Sequence, residues 1–276
     1  MGGGGGGELD SQGNLLLFLL PKMEDLARRL MFEYRLNIAG EIWTITELEG
    51  YLYDKNGHPD EFVHRDPQQL EMNTWYFHRR GRTYKGGTFK GLDMTFGEKD
   101  LQIYFGMLIR AIDSPQGLIE GPCNVVDYML YKTQKGTIKG LVTSSDFNLN
   151  DIYDPHSIVH LEPYTDGYKE EPILKRTARV GLTLNILHPR EEDEENEEIY
   201  RAKEQYIGKK YRFITQAYHK PKKHLLYLGC TENPKQHEEF KKGKEMSLSS
   251  FRNKHWTVGE TCQMLGAWEA KFGSPE

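Results

Sequence analysis

The side chains best suited to chemistry lie between residues 47 and 66, in the segment ELEGYLYDKNGHPDEFVHRD. Alternating β-branched and aromatic residues over positions 40–53 predict a strand that runs into this segment. One face of that strand is expected to carry Trp43, Ile45, Glu47 and Glu49. A carboxylate near a strand end and beside aromatic rings can act as a general base, because desolvation raises its pKa.

The strand leads into a polar loop, which presents Tyr51, His58 and His64 close to the two carboxylates in sequence. Two other interpretations of this region remain open. The glutamates can simply form the exposed face of an edge strand, as charged residues usually do. Alternatively, His58, Asp60 and His64 can bind zinc, although their spacing matches no strong ligand motif.

The composition is that of a folded chain without an overall basic charge. Hydrophobic residues make up 37% and charged residues 28% of the 276 residues, which allows a packed core. A net charge of −5 counts against strong nonspecific DNA binding unless positive charge gathers on one face. Basic residues do cluster, although each cluster can also be solvated surface: Arg79, Arg80, Arg82 and Lys85; Lys209, Lys210, Arg212, Lys220, Lys222 and Lys223; and Lys241, Lys242 and Lys244.

Cysteine usage and hydropathy predict an intracellular location, in the nucleus of a eukaryote or the cytoplasm of a bacterium. The three cysteines are far apart and form no metal-type pair, as expected in a reducing compartment. The apolar run at residues 15–20 is too short to span a bilayer and lacks a basic region before it. We therefore expect neither a membrane anchor nor a secretion signal, and we expect a monomer.

The pattern along the chain predicts a glycine-rich flexible tail over residues 1–13 and one mixed α and β domain over residues 14–276. One helix is expected over residues 21–34. A second is expected within residues 121–132, with its start at Pro122. The expected strands include 40–53, 101–112, short segments within 81–97, ARVGLTLNIL at 178–187 and KYRFITQAY at 210–218.

Six short segments, in collinear order over about residues 23–216, resemble the alkyladenine (3-methyladenine) DNA glycosylase family. ELEGY at 47–51, followed by His64 thirteen residues after Tyr51, is similar to the family's E-T-E-A-Y and its later His. The other segments are LARRL at 26–30, LIRAID at 108–113 (L-L-R-A-L-E), GPCN at 121–124 (G-P-S-K), ARVG at 178–181 (A-R-V-G) and YRFIT at 211–215 (R-F-Y-V). Residues 217–276 form a C-terminal extension beyond this resemblance.

The resemblance implies an α+β fold, with a curved antiparallel sheet flanked by helices, as in this family and in the C-terminal domain of formyltransferases. It also implies removal of modified purines from DNA without a metal or other cofactor. Glu49 matches the carboxylate that activates water, and Tyr51 and His64 match the pair that sandwiches the extruded base. Arg110 matches the basic residue that organises the water near Glu49, although a structural salt bridge explains an arginine there equally well.

The sequence departs from the family at the base pocket. Phe96 stands where the family has an aromatic residue close to the gap left by the flipped base, and an apolar ring can fill such a gap. Asp93 replaces a stacking aromatic, so it can either accept a hydrogen bond from an exocyclic amine or prevent purine binding. Asn124 replaces a lysine, and an asparagine that screens out guanine has no counterpart.

The expected function is base-excision repair by a monofunctional DNA glycosylase, acting on a flipped alkylated or otherwise modified purine in duplex or single-stranded DNA. The alternative is a nucleic-acid-binding or assembly module on the same fold that has lost its catalytic activity. RNA or a free nucleoside as substrate also remains open. The repair function requires that the carboxyl group of Glu49 open into a cavity whose walls include the Tyr51 phenol and the His64 imidazole.

Overall fold

The computed structural model describes residues 16–164, 173–186, 193–215 and 233–273, so the glycine-rich segment 1–13 lies outside it. The helices in these ranges are α1 Leu16–Phe32, α2 Pro122–Lys132, α3 Ile138–Val142, α4 Asp193–Tyr206, α5 Pro234–Gly243 and α6 Val258–Phe272. The strands are β1 Tyr34–Ile38, β2 Glu41–Tyr53, β3 Met72–Phe77, β4 Arg79–Arg80, β5 Thr83–Tyr84, β6 Leu92–Phe96, β7 Tyr104–Ser114, β8 Gly117–Glu120, β9 Val159–Pro163, β10 Leu174–Thr177 and β11 Arg212–Thr215.

A large antiparallel sheet dominates the described part of the chain. Its main path runs β10-β11-β2-β7-β6-β3, with β1 pairing to β2 and β9 and with β8 pairing to β7. Strands β4 and β5 form a separate hairpin. Helices flank the sheet within a single compact unit, and the predicted α+β fold is therefore confirmed.

One face of the sheet is apolar and lies against helices α1 and α2. Strand β2 contributes Trp43, Ile45, Leu48 and Leu52 to this core, all of them almost fully buried. Gly50 continues the same face and allows α1 to approach closely, because a Cβ there would come within 2.3 Å of the sulfur of Met23. This close approach fixes the helix across the strand that carries both glutamates.

Two β-bulges reverse the alternation of side chains in the centre of the sheet. The register of β2 with β7 shifts on both sides of Glu47, leaving Thr46 unpaired on β2 and Arg110 unpaired on β7. A bulge of this kind redirects the side chains that follow it. The expectation that Trp43, Ile45, Glu47 and Glu49 share one face is therefore wrong, because the two glutamates point away from the apolar core.

The C-terminal residues form a second, smaller core. Helices α5 and α6 cross at glycines, because a Cβ on Gly266 would lie 2.0 Å from the carbonyl oxygen of Phe240. Trp268 is buried beside them and covers Gly208 at the end of α4. The C-terminal extension is thus a helical layer, although residues 216–232, which precede it, lie outside the described residues.

Several local predictions are confirmed, and one strand is wrong. Helix α2 begins at Pro122 as expected, and β7 matches the predicted strand at 101–112 with a shift of a few residues. The segment ARVGLTLNIL does not form a strand: β10 ends at Thr177, and residues 178–186 leave the sheet. No helix in the described ranges has both the length and the apolar character needed to cross a membrane.

Candidate active site

A line of side chains crosses the face of the sheet opposite the apolar core. Backbone pairing places Arg212, Glu49, Leu108, Asp93 and Tyr76 directly opposite one another on five successive strands. Residues paired in this way point to the same side of a sheet. Glu49 and Asp93 are separated by one intervening strand, or about 10 Å between backbones at a strand spacing of about 4.8 Å.

Three hydrogen-bond donors hold the carboxylate of Glu49, which is fully buried. The Tyr51 hydroxyl donates to Oε2 at 2.9 Å, and the Arg110 guanidinium donates to the same oxygen at 3.2 Å. The backbone N–H of Val180 donates to Oε1 at 2.8 Å. Two of the predicted site residues, Tyr51 and Arg110, therefore contact Glu49, and the third donor comes from the segment that leaves the sheet after β10.

Arg110 bridges the two glutamates and orients both. Its Nε donates to Glu47 at 2.8 Å, and Glu47 also accepts a hydrogen bond from Arg212 at 2.5 Å. Burial by itself lowers the pKa of Arg110, but Glu49 and Glu47 outweigh that effect and hold the pKa above its ordinary value. The arginine is therefore a permanent cation, and the structural salt bridge considered from the sequence is present together with the hydrogen bond to Glu49.

Tyr51 is held by its hydroxyl group and by one face of its ring. The Arg179 guanidinium lies 4.7 Å from the ring centroid, and Arg179 also forms a fully buried ion pair with Asp60 at 2.7 Å. Burial and the neighbouring Glu49 raise the pKa of Tyr51 well above its ordinary value, so the phenol stays protonated and donates to Glu49. The resemblance in sequence covered the segment around Arg179 but implied no role for this residue.

A second cluster of polar side chains surrounds Asp93 and His64. His78 bonds the Oδ1 of Asp93 at 2.8 Å, and the Gln69 amide donates to its Oδ2 at 3.3 Å. Nδ1 of His64 lies 3.2 Å from the Tyr76 hydroxyl, and its ring is 4.6 Å from the ring of His78. Tyr76 and His78 have no counterpart among the residues predicted from the sequence, because they lie on β3 and just after it, in a stretch without a recognised motif.

The electrostatic surroundings favour a neutral His64, although the residue reaches the surface. Desolvation and the neighbouring His78 and Lys85 lower the pKa of His64 to about 4. A neutral imidazole stacks on a flat ring without the cost of burying a charge.

Gly106 lies between the two groups of side chains. It pairs with Tyr51 on one side and with Thr95 on the other. A Cβ at this position would lie 2.5 Å from Oδ2 of Asp93 and 3.1 Å from the Gln69 amide nitrogen. The absence of a side chain at Gly106 therefore allows the side chains of Asp93 and Gln69 to occupy the space above it.

Phe96 does not join the other predicted site residues. Side chains alternate along β6, so Phe96 projects to the side opposite Asp93 and packs against the apolar core, with its ring 6.1 Å from that of Phe105. It lines a cavity of about 570 Å³ together with Leu26 and Arg29 of α1. The expectation that Phe96 lines the same substrate site as Glu49, Tyr51 and Asp93 is therefore wrong, because β6 turns its ring towards α1.

The zinc alternative finds no support in the described part of the chain, where no group of three His, Cys, Asp or Glu side chains is arranged to bind a metal. Both ring nitrogens of His58 have partners, namely the Leu52 carbonyl at 2.8 Å and the Tyr211 hydroxyl at 2.9 Å. Asp60 is engaged by Arg179, and His64 belongs to the separate cluster beside Asp93.

The chain is similar in sequence to a viral protein. No protein-family model matches the chain. It is 35% identical over 181 residues to an uncharacterized protein of Acanthamoeba polyphaga mimivirus, and the match spans 60% of this chain and 81% of the viral protein. Because the match covers most of the viral protein at this level of identity, the chain belongs to the same protein family as that mimivirus protein.

Proposed function

We propose that the protein is a DNA N-glycosylase that hydrolyses the bond between deoxyribose and a flipped, modified purine. Water attacks C1′ of the nucleotide, Glu49 accepts a proton from that water, and the base departs with the electron pair of the glycosidic bond. A cationic N-alkyl purine leaves as a neutral base, whereas a neutral purine such as hypoxanthine leaves as an anion and takes up a proton from solvent. Water is the nucleophile in both cases, so the reaction needs no covalent intermediate. The products are a free base and an abasic site.

The hydrogen bonding of Glu49 is the observation that carries this proposal. An ionised carboxylate accepts about four hydrogen bonds, and three are supplied by Tyr51, Arg110 and Val180. Oε1 has a single donor, so it retains an acceptor position for a water molecule. Because the three donors also fix the orientation of the carboxylate, that water would be held in one place, as a general base requires.

The neighbouring side chains suit a flat substrate. Tyr51 has Arg179 on one side of its ring, and His64 presents a neutral imidazole at the protein surface. Base stacking on aromatic side chains contributes about 1–3 kcal/mol per base. Asp93 lies on the same face of the sheet and can accept a hydrogen bond from an exocyclic amine if that amine displaces the long hydrogen bond from Gln69.

The test is base release from oligonucleotides that carry hypoxanthine, ethenoadenine or 3-methyladenine, in duplex and single-stranded DNA and in RNA. General-base catalysis contributes about 10²–10⁴-fold, so Glu49→Gln should lower the rate by that factor while binding is retained. Glu204→Gln is the matched control, because Glu204 on α4 is also buried and is ion-paired with Arg252 and Lys271 of the C-terminal layer. Equal activity of the two variants, or no release from any substrate, would contradict the proposal.

A second candidate is a nucleic-acid-binding or assembly module with no catalytic activity. The full burial of Glu49, and the pairing of both Asp93 oxygens, favour this alternative, since the same hydrogen bonds can serve stability alone. It predicts retained binding to DNA with no abasic product. The substrate screen therefore separates the two candidates.

A further inference from the structure

We propose that a basic cavity beside the candidate active site binds the phosphodiester backbone of nucleic acid. The cavity has a volume of about 710 Å³ and lies between the β4–β5 hairpin with the loop that follows it and helices α2 and α3. This proposal shares its nucleic-acid partner with the proposed function, but it does not require the protein to cleave any bond.

The charges lining the cavity are the first argument. Arg82, Lys85, Lys90 and Lys139 line it together with a single carboxylate, that of Asp127, which pairs with Lys90. Among the residues that the structure describes, neither Arg82 nor Lys139 has an acidic partner. Both are solvent-exposed, in a chain with a net charge of −5. Local concentration of positive charge on a net-negative protein is what selective attraction of a polyanion requires.

The position of the cavity is the second argument. The Lys85 ammonium lies 3.0 Å from Nε2 of His64, so the two sites share a boundary. Both ends of the segment 85–91 are hydrogen-bonded to the backbone of His78. The N–H of Lys85 donates to the carbonyl of His78 at 2.8 Å, and the N–H of His78 donates to the carbonyl of Gly91 at 2.9 Å. His78 in turn bonds Asp93. A nucleic-acid strand whose phosphates occupy the cavity therefore runs past the cluster around His64 and Asp93.

An exposed aromatic ring at the edge of the cavity is the third argument. Phe89 is 74% exposed and stands between Gly86 and Lys90, both of which line the cavity. Basic grooves with accessible aromatic rings bind single-stranded nucleic acid, because phosphates meet the cations while bases stack on the rings. We assign this stacking role to Phe89.

The experiment measures fluorescence anisotropy of labelled, undamaged single-stranded and duplex oligonucleotides with the full chain at several salt concentrations. The salt slope falls by about 0.7–0.9 for each phosphate that the protein no longer neutralises. The double variant Arg82→Ala/Lys139→Ala should therefore bind about 10- to 30-fold more weakly at 0.15 M salt, and its slope should be smaller by about 1.4–1.8. The control Lys235→Ala/Lys241→Ala removes the same charge from α5 and should change binding less than about twofold.

Equal weakening in both double variants would show a general charge effect and would overturn the proposal, as would unchanged binding in the cavity variant. Failure of the glycosylase screen leaves this result unaffected, because the oligonucleotides carry no modified base.

Phe89 is tested separately with single-stranded DNA. Phe89→Ala should weaken binding roughly 5- to 150-fold, the factor that corresponds to removal of one stacked base. Leu101→Ala removes an exposed apolar side chain from a different loop and should have no such effect. Equal affinities of these two variants would refute a stacking role for Phe89.

Discussion

Replacement of Asp60 by Asn tests whether the buried ion pair with Arg179 holds the candidate active site together. Both side chains are fully buried, and the carboxylate lies 2.7 Å from the guanidinium. Arg179 also packs against the ring of Tyr51 and donates to the carbonyl of Gly50 at 3.2 Å. Loss of the carboxylate would leave a buried cation next to the residue that positions Glu49.

The expected cost follows from the burial of the pair. Removing one partner of a buried ion pair typically lowers the free energy of unfolding by about 3–5 kcal/mol, because the remaining charge is desolvated without compensation. Asp60→Asn should reach that range through loss of the charge alone. Asn keeps the shape of the side chain and can still accept the hydrogen bond from the N–H of Phe62. The double variant Asp60→Asn/Arg179→Met should be more stable than the sum of the single effects by about 1–3 kcal/mol.

Urea unfolding at neutral pH measures these differences. The pair of Glu61 and Arg65 provides the control, because their side chains are 20% and 41% exposed and loss of an ion pair that solvent reaches costs about 1 kcal/mol or less. If Asp60→Asn costs no more than Glu61→Gln, the buried pair does not stabilise the site and the reasoning above is wrong. If the free-energy losses of Asp60→Asn and Arg179→Met add up to that of the double variant, Asp60 and Arg179 are not coupled.

Three further changes test other parts of the structure. Gly106→Ala should destabilise the protein by about 1–3 kcal/mol and displace the Asp93 side chain, because the new Cβ would lie 2.5 Å from Oδ2 of Asp93. Urea unfolding measures this loss, and an unchanged free energy of unfolding would contradict the contact. Gly266→Ala should cost as much or more, because its Cβ would meet the carbonyl of Phe240 at 2.0 Å; a normal thermal unfolding profile would contradict this helix crossing. An NMR titration should give His64 a pKa of about 4, below its ordinary value of 6.5. The contribution of His64 to stability is then present above about pH 6.5 and is lost as the pH falls towards 4, because the unfolded chain binds the proton first; a midpoint near 6.5 would rule this out.

Local sequence signals identified several of the elements, and the resemblance to a family pointed to part of the candidate site. Alternation predicted strand β2, and proline at the first helical position predicted the start of α2. The resemblance of the ELEGY and LIRAID segments to a family pointed to Glu49, Tyr51 and Arg110, and the fold brings Tyr51 and Arg110 within hydrogen-bonding distance of Glu49. The predicted elements depend on short-range patterns, whereas the site residues depend on that resemblance.

The remaining parts of the site depend on contacts between distant segments. The bulges at Thr46 and Arg110 arise from the pairing of β2 with β7, and a one-residue shift reverses the face of every side chain beyond it. Phe96 and Asp93 are three residues apart on β6, so the alternation along that strand turns their side chains to opposite faces of the sheet. Tyr76 and His78 join His64 and Asp93 only because β3 lies beside β6.

The sequence by itself predicted strand β2, most of β7 and the start of α2, since periodicity and helix-start signals are local properties, and its resemblance to a family pointed to Glu49, Tyr51 and Arg110. The tertiary structure decided which face of the sheet carries Glu49, what surrounds its carboxylate, and where positive charge gathers on a net-negative chain. Those features result from strand register and from side chains far apart in sequence, and composition and spacing do not encode the distances between them.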